Sequence, residues 1–250
     1  MKVSIATERG EQQVDLSKPI AIHIPIQNGK GVCAWYVAPA TISPVRQGNF
    51  AGSIEKGAAV NFNDITFNPH AHGTHTECVG HILAGNYMVL DSLKQYFFES
   101  LLVTVAPVAT RKDLVITKEI LVAAIGDKEV PQALIIRTLP NEVSKLLKQY
   151  SHSNPAYLSE GAAIYIRELG VSHLLIDLPS VDKESDGGAL LAHKAFWNLE
   201  GAIRTHATIT EFVFVPDSVL DGFYFLQLGL APFVNDASPS TVFLYTFENK

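Results

Sequence analysis

Residues 68–82 read NPHAHGTHTECVGHI, which places four of the chain's nine histidines, His70, His72, His75 and His81, together with Glu77 within twelve consecutive positions. The other five histidines are scattered, so chance composition explains this crowding badly. In an extended strand, side chains at i and i+2 share a face; His75 and Glu77 therefore point the same way, and His81 keeps that parity if the extension continues. His70 and His72 have the opposite parity. For either to reach the same ion the chain must bend before His75, and Gly73 is the residue type that permits a bulge or a positive φ there. Imidazoles with a carboxylate suit zinc, and also manganese or iron, so the stretch points to a divalent cation.

Outward from this stretch, apolar β-rich runs recur: PIAIHIPI (19–26), SLLVTVAPV (100–108), ALIIRTL (133–139), HLLIDLP (173–179), TITEFVFV (208–215), FYFLQLGL (223–230) and STVFLYTF (240–247). Most of them read as buried strands. Helical patterns lie between them. The best is LSEGAAIYIRELG, where Leu158, Ala162, Tyr165, Ile166 and Leu169 share a face, Ser159 caps the start and Gly170 ends it. Residues 115–126 and 141–150 give shorter helices. The fold class is α/β, with more strand than helix and a C-terminal third that is nearly all strand. No repeat or linker divides residues 1–250, which read as a single domain. Residues 27–69, rich in Gly, Pro and Asn around Trp35 and Tyr36, are either loops that roof a site or a surface excursion anchored by two aromatics.

Composition narrows the partners. With 250 residues, 47% hydrophobic and 18% charged, the chain buries a sizeable core. A net charge of −6 and no basic run leave no electrostatic footprint for nucleic acid or an anionic membrane, so a small-molecule substrate is expected. The first twenty residues carry charges throughout, and no stretch of eighteen apolar residues follows; a cytoplasmic protein is expected. Cys33 and Cys78 are too few for a disulfide framework. Cys78 is either a soft extra ligand or, since its parity points it away from His75 and Glu77, a buried structural thiol.

Two further residues bear on the cation. Glu211 lies in the apolar run TITEFVFV, where a buried carboxylate needs a partner such as a cation; on an edge strand it faces water instead. His193, in LLAHKAFW, is by itself a packed or surface histidine on a helix.

The segment HGTHTECVGH resembles the signature of the cyclase family of metal-dependent hydrolases, which includes kynurenine formamidase (arylformamidase) and isatin hydrolase and reads His-x-Gly-Thr-His-x-Asp-x-Pro-x-His. ALIIRT, LLIDLPSVD, LLAHKAFW, ITEFVFV and VNDASPSTVFLY resemble further family segments in the same order. The resemblance implies a layered β/β/α cyclase-like (swivelling) fold with mixed sheets and outer helices. It implies that His75 and Glu77 hold a metal, that the counterparts of His193 and Glu211 hold a second ion bridged by the carboxylate, and that His81 is the general base. One or two divalent ions per subunit are expected, zinc first and manganese as the alternative. The family's first ligand histidine falls on Ala71, so either His70 or His72 takes its role; His70 is preferred because His72 then fills the variable position before Gly73. Glu77 replaces the family's Asp and is one methylene longer.

The implied activity is hydrolysis of a small amide by a metal-activated water, most like the arylformamidase reaction on N-formylkynurenine, in tryptophan catabolism. Imidazole, with an ordinary pKa of about 6.5, suits His81 to move the proton. The alternatives are hydrolysis of a cyclic amide or lactone, as by isatin hydrolase, and a non-catalytic, metal-stabilised ligand-binding protein. A structural metal site is closed and needs no spare imidazole, so the candidate base disfavours the latter. Trp35 and Tyr36, with Phe62 or Phe67, are candidates for an aromatic substrate wall. A homodimer or homotetramer is implied.

Overall fold

The computed structural model describes residues 1–7 and 9–248. One sheet dominates. Its strands are β1 (Lys2–Thr7), β2 (Gly10–Asp15), β3 (His75–Glu77), β4 (Phe97–Val105), β5 (Ala133–Thr138), β6 (His173–Ile176), β7 (Thr208–Glu211), β8 (Gly222–Leu230) and β9 (Ala237–Glu248), with the short Ile20–Ala21 paired to β9. Their order is β1-β2-β9-β8-β4-β5-β6-β7-β3. Because β3 also pairs with β9, the seven strands from β9 round to β3 close into a barrel-like ring. The β4–β5, β5–β6 and β6–β7 pairs are parallel and the others antiparallel, so the sheet is mixed.

The continuous apolar runs have a structural cause: β4, β5 and β6 are buried on both faces. Leu102, Ala133, Ile135 and Leu175 point inward and meet Leu226, Leu228, Val242 and Leu244 from the opposite wall. Their neighbours Leu101, Val103, Leu134, Ile136, Leu174 and Ile176 point outward, beneath helices α1 (Lys118–Ile125), α2 (Glu160–Glu168) and α3 (Leu191–Trp197). Each such side chain contributes about 1.5–3 kcal/mol when removed from water. Two walls of the closed sheet with helices outside one of them give the expected β/β/α layering. Among the described residues no helix is long and apolar enough to cross a membrane.

The local signals held where the chain decides its own conformation. Ser159 accepts a hydrogen bond from the Ala162 amide at 3.2 Å to start α2, and Gly170 follows it at φ 81°. The helix expected at 141–150 is instead a 3-10 segment, Val143–Leu147, because Lys145 turns inward to donate to Asp177 and to the Thr138 carbonyl, both at 2.7 Å. That buried ion pair overrides the helical pattern. Within 27–69, Thr41–Pro44 pairs with Asn63–Thr66 and Arg46–Gln47 with Phe50–Ala51, so the excursion holds two short ladders.

Candidate metal centre

Strand β3 closes the barrel, and its alternation sorts its three residues. Thr76 shares its hydroxyl with Thr210 of β7 at 2.8 Å and accepts from Ser240 of β9 at 2.7 Å, which ties the seam together. His75 and Glu77, on the other face, are fully buried. The chain enters β3 through Gly73 at φ 79°, where a Cβ would stand 2.7 Å from the Ile24 carbonyl oxygen, so only glycine makes the bend that returns His70 towards Glu77. Thr74 locks the same corner, accepting from the Ile24 amide at 2.7 Å and donating to the Phe212 carbonyl.

Four imidazoles converge here, and each turns one nitrogen outward to an acceptor and the other inward. His70 places Nε2 2.8 Å from Asp236 Oδ2 and Nδ1 3.0 Å from Glu77 Oε2. His193, carried by α3, places Nδ1 2.5 Å from Asp182 Oδ2 and Nε2 3.0 Å from Glu77 Oε1. His81 is looser, with Nδ1 3.7 Å from Asp236 and Nε2 3.9 Å from Glu77 Oε2. His75 has Nδ1 3.3 Å from the Gly73 carbonyl, which leaves Nε2 as a buried nitrogen with no hydrogen-bond partner, 3.3 Å from Glu211 Oε2.

This is an acceptor-rich cluster. Where Nδ1 of His75 donates to Gly73, its Nε2 carries a lone pair, and the atom it faces is a carboxylate oxygen. Both want a positive centre between them. The donor set of imidazole nitrogens and carboxylate oxygens, each histidine backed by an outer acceptor, fits a divalent cation. Ligand atoms of His75, Glu77 and Glu211 lie within 4.8 Å of one another, and so do those of His70, Glu77 and His81. Glu77 belongs to both groups and can stand between two ions.

Without a cation, the charges compensate one another. Burial pulls the pKa of His70 down, but its contacts with Asp236 and Glu77 outweigh that and raise it to about 10. His193 reaches about 10 in the same way, burial being overcome by Asp182 and Glu77. Burial favours neutral Glu77, yet the surrounding imidazoles hold its carboxyl well below the usual carboxylate range. Asp236 is lowered chiefly by the hydrogen bond from His70 and then by the nearby His81 ring.

The backbone around the centre is strained. Trp35, Tyr36, Leu190 and Phe212 all adopt positive φ between 48° and 60°, and each lines the cavity or adjoins a residue that does. The cavity, of about 390 Å³, is bounded by Trp35, Asn68, His70, His81, Leu190 and His193, with Lys183 and Glu184 also in its wall. A second cavity of about 410 Å³, between Ile5, Phe97 and Phe225, shares no residue with the centre.

The centre gathers His70, His75, Glu77, His81, His193 and Glu211; Glu211 faces inward, accepting from the Val181 amide at 3.0 Å. His72 does not join them. Its Nδ1 accepts from the Asn68 amide at 2.9 Å and its Nε2 donates to the Ala38 carbonyl at 3.0 Å, so both nitrogens serve the backbone and neither is free for a metal. Trp35 lines the cavity and donates from Nε1 to the His70 carbonyl at 3.1 Å. Tyr36 stays outside, donating to Glu184 at 2.8 Å. Phe62 is exposed, and Phe67 packs edge-on to Phe233. The Cys78 thiol is buried and turned to the Tyr87 carbonyl, away from the ligands. Asp182 and Asp236 were not singled out by sequence reasoning; the only signal was their place in LPSVD and VNDASP.

Comparison with known proteins adds a family. The sequence model of the putative cyclase family matches residues 14–183. The comparison with curated proteins gave no match. Among solved structures, a predicted metal-dependent hydrolase from Bacillus stearothermophilus is 18% identical, with a TM-score of 0.63 over 91% of this chain and 98% of its own. An isatin hydrolase bound to the product analogue thioisatinate is 12% identical, with a TM-score of 0.65 over 92% and 93%. Isatin hydrolase A from Labrenzia aggregata is 13% identical, with a TM-score of 0.63 over 92% and 94%. At these identities the similarity shows a shared fold.

Proposed function

The chain belongs to the putative cyclase family, and on that footing we propose that it is a metal-dependent hydrolase of a small amide, with an aryl formamide of the N-formylkynurenine type as substrate. The observation that carries the reading is the buried, unpartnered His75 Nε2 facing Glu211. His75, Glu77, Glu211, His193 and His70 would hold the cation or cations, zinc first and manganese as the alternative. When bound, such an ion supplies Lewis acidity, polarising a carbonyl and lowering the pKa of water towards neutrality.

The chain's own residues supply the rest. His81 lines the cavity, its side chain is about one-third exposed, and it makes the longest contacts of the four rings. It therefore has the freedom to move a proton. Its Nε2 accepts the proton of the attacking water and returns it to the leaving nitrogen as the C–N bond breaks, giving a carboxylic acid and an amine. Trp35 and Leu190 offer an apolar wall for an aryl group in a cavity of small-molecule size.

A second reading, ring opening of a cyclic amide, is supported by the fold shared with two isatin hydrolases over nine-tenths of the chain. The test is elemental analysis of tag-free protein, with N-formylkynurenine and isatin assays before and after chelation. Metal near one or two equivalents with chelator-sensitive formamide turnover is expected. Turnover of isatin alone transfers the assignment to the second reading, and absence of metal even after reloading overturns both.

A further inference from the structure

We propose that Asp236 is the positioning residue of this centre: one carboxylate oxygen accepts from the outward nitrogen of His70 and faces that of His81, and so sets which nitrogen each ring turns to Glu77. The inference rests on the metal-dependent reading above. Asp236 Oδ2 lies 2.8 Å from His70 Nε2 and 3.7 Å from His81 Nδ1. The two rings lie against each other at 4.2 Å between centroids and 31° between planes, so a single oxygen reaches both. Beyond them, His70 Nδ1 and His81 Nε2 both face Glu77 Oε2, at 3.0 and 3.9 Å.

An imidazole that donates outward presents a lone pair inward; without that acceptor, the ring has no preferred tautomer and no fixed plane. Asp182 does this for His193 through its own carboxylate, and the Gly73 carbonyl does it for His75. Asp236 completes the set, serving two rings at once. Its unequal distances divide the two roles: the short contact fixes His70, and the long one steers His81 while leaving it free to turn.

The location suits a residue that acts through others. Asp236 immediately precedes β9, which pairs with β3, and its carbonyl accepts the Cys78 amide at 3.0 Å. That backbone bond survives a change of side chain, and the side chain is about one-quarter exposed, so substitution leaves the seam intact. In sequence Asp236 is 166 positions from His70, and its one local mark is its place in VNDASP.

The experiment compares wild type with Asp236→Asn and Asp236→Glu. Its readouts are circular dichroism for folding, competitive zinc affinity, the visible spectrum of the cobalt-loaded protein and imidazole ¹⁵N shifts. Asn keeps the shape and removes the charge. The expected result is a folded Asp236→Asn protein that binds zinc about 10–100-fold more weakly. Its cobalt spectrum should be altered and the ¹⁵N shifts of His70 and His81 displaced, with Asp236→Glu recovering part of each. Unchanged affinity and spectrum overturn the proposal. If wild type takes up no cation, the metal-dependent reading fails, and the nitrogen shifts decide alone: shifts of His70 and His81 that are the same in wild type and Asp236→Asn overturn the positioning role.

Discussion

His75 Nε2 stands 3.3 Å from Glu211 Oε2, fully buried and without a hydrogen bond. Where Nδ1 donates to the Gly73 carbonyl, Nε2 is an acceptor facing an acceptor in the interior, which is costly, and a bound cation removes that cost by binding the folded state alone. Ligand at 100 times its dissociation constant stabilises by about 2.7 kcal/mol. For a chain of this size, that is about 5–10 °C in Tm. Dialysis against a strong chelator should therefore lower Tm by this order, and zinc should restore it. A Tm that ignores both treatments counts against a metal at this centre.

His81 and His193 should separate cleanly. His81 contacts Glu77 at 3.9 Å and lines the cavity, whereas His193 is buried at 3.0 Å from the same carboxylate. Replacing His81 with Ala should lower kcat by about 10²–10⁴-fold while the metal stays bound. Replacing His193 with Ala should lose metal first and activity with it. Undiminished turnover in His81→Ala would remove it from the role of base.

The legible part of the centre was the part written in one stretch. His70, His75, Glu77 and His81 crowd together in sequence, and Gly73 marks the bend, found at φ 79°. Parity could not choose between His70 and His72; the choice came from Asn68 and Ala38, whose backbone groups occupy both nitrogens of His72. Asp182 and Asp236 were marked only by their segments, LPSVD and VNDASP, because single carboxylates in loops have no periodicity, and the Asp236–His70 contact spans 166 positions. The same distance hides the cause of the 3-10 segment in 141–150, because Asp177, the partner that draws Lys145 inward, lies 32 positions away. Most strands were readable from their apolar runs, although PIAIHIPI (19–26) forms a strand only at Ile20–Ala21 and TITEFVFV only over Thr208–Glu211; closure of the ring depends on β3, three residues long and polar throughout.

Gly73→Ala tests the bend directly. A Cβ there meets the Ile24 carbonyl oxygen at 2.7 Å and forces a side chain into φ 79°. Relief requires moving Ile24 or the entry to β3, and either shifts His75. The substitution should destabilise by about 2 kcal/mol or more. It should also reduce metal affinity, because the ligands move with the strand. A loss of stability with unchanged metal affinity would show that the bend serves the fold and not the centre.

His173 gives a pH prediction away from the ligands. At the start of β6 it is buried, with Nδ1 2.9 Å from the Thr208 hydroxyl and its ring 4.3 Å from Phe98. Burial first, and then the charges of His206 and Arg204, push its pKa down to about 4 from the ordinary 6.5. Between those values the unfolded chain takes up a proton that the folded chain refuses, so stability falls as pH drops from 6.5 towards 4. The full loss is of the order of 3 kcal/mol. Other groups titrate in the same window, so the quantity to measure is the difference between wild type and His173→Gln in urea unfolding of the metal-free proteins. At neutral pH the variant should be the less stable, having lost the Phe98 packing. On acidification the gap should close, because Gln has no proton to refuse. A gap that stays constant from pH 7 to pH 4.5 would mean that His173 takes up its proton as readily in the folded chain as in the unfolded one.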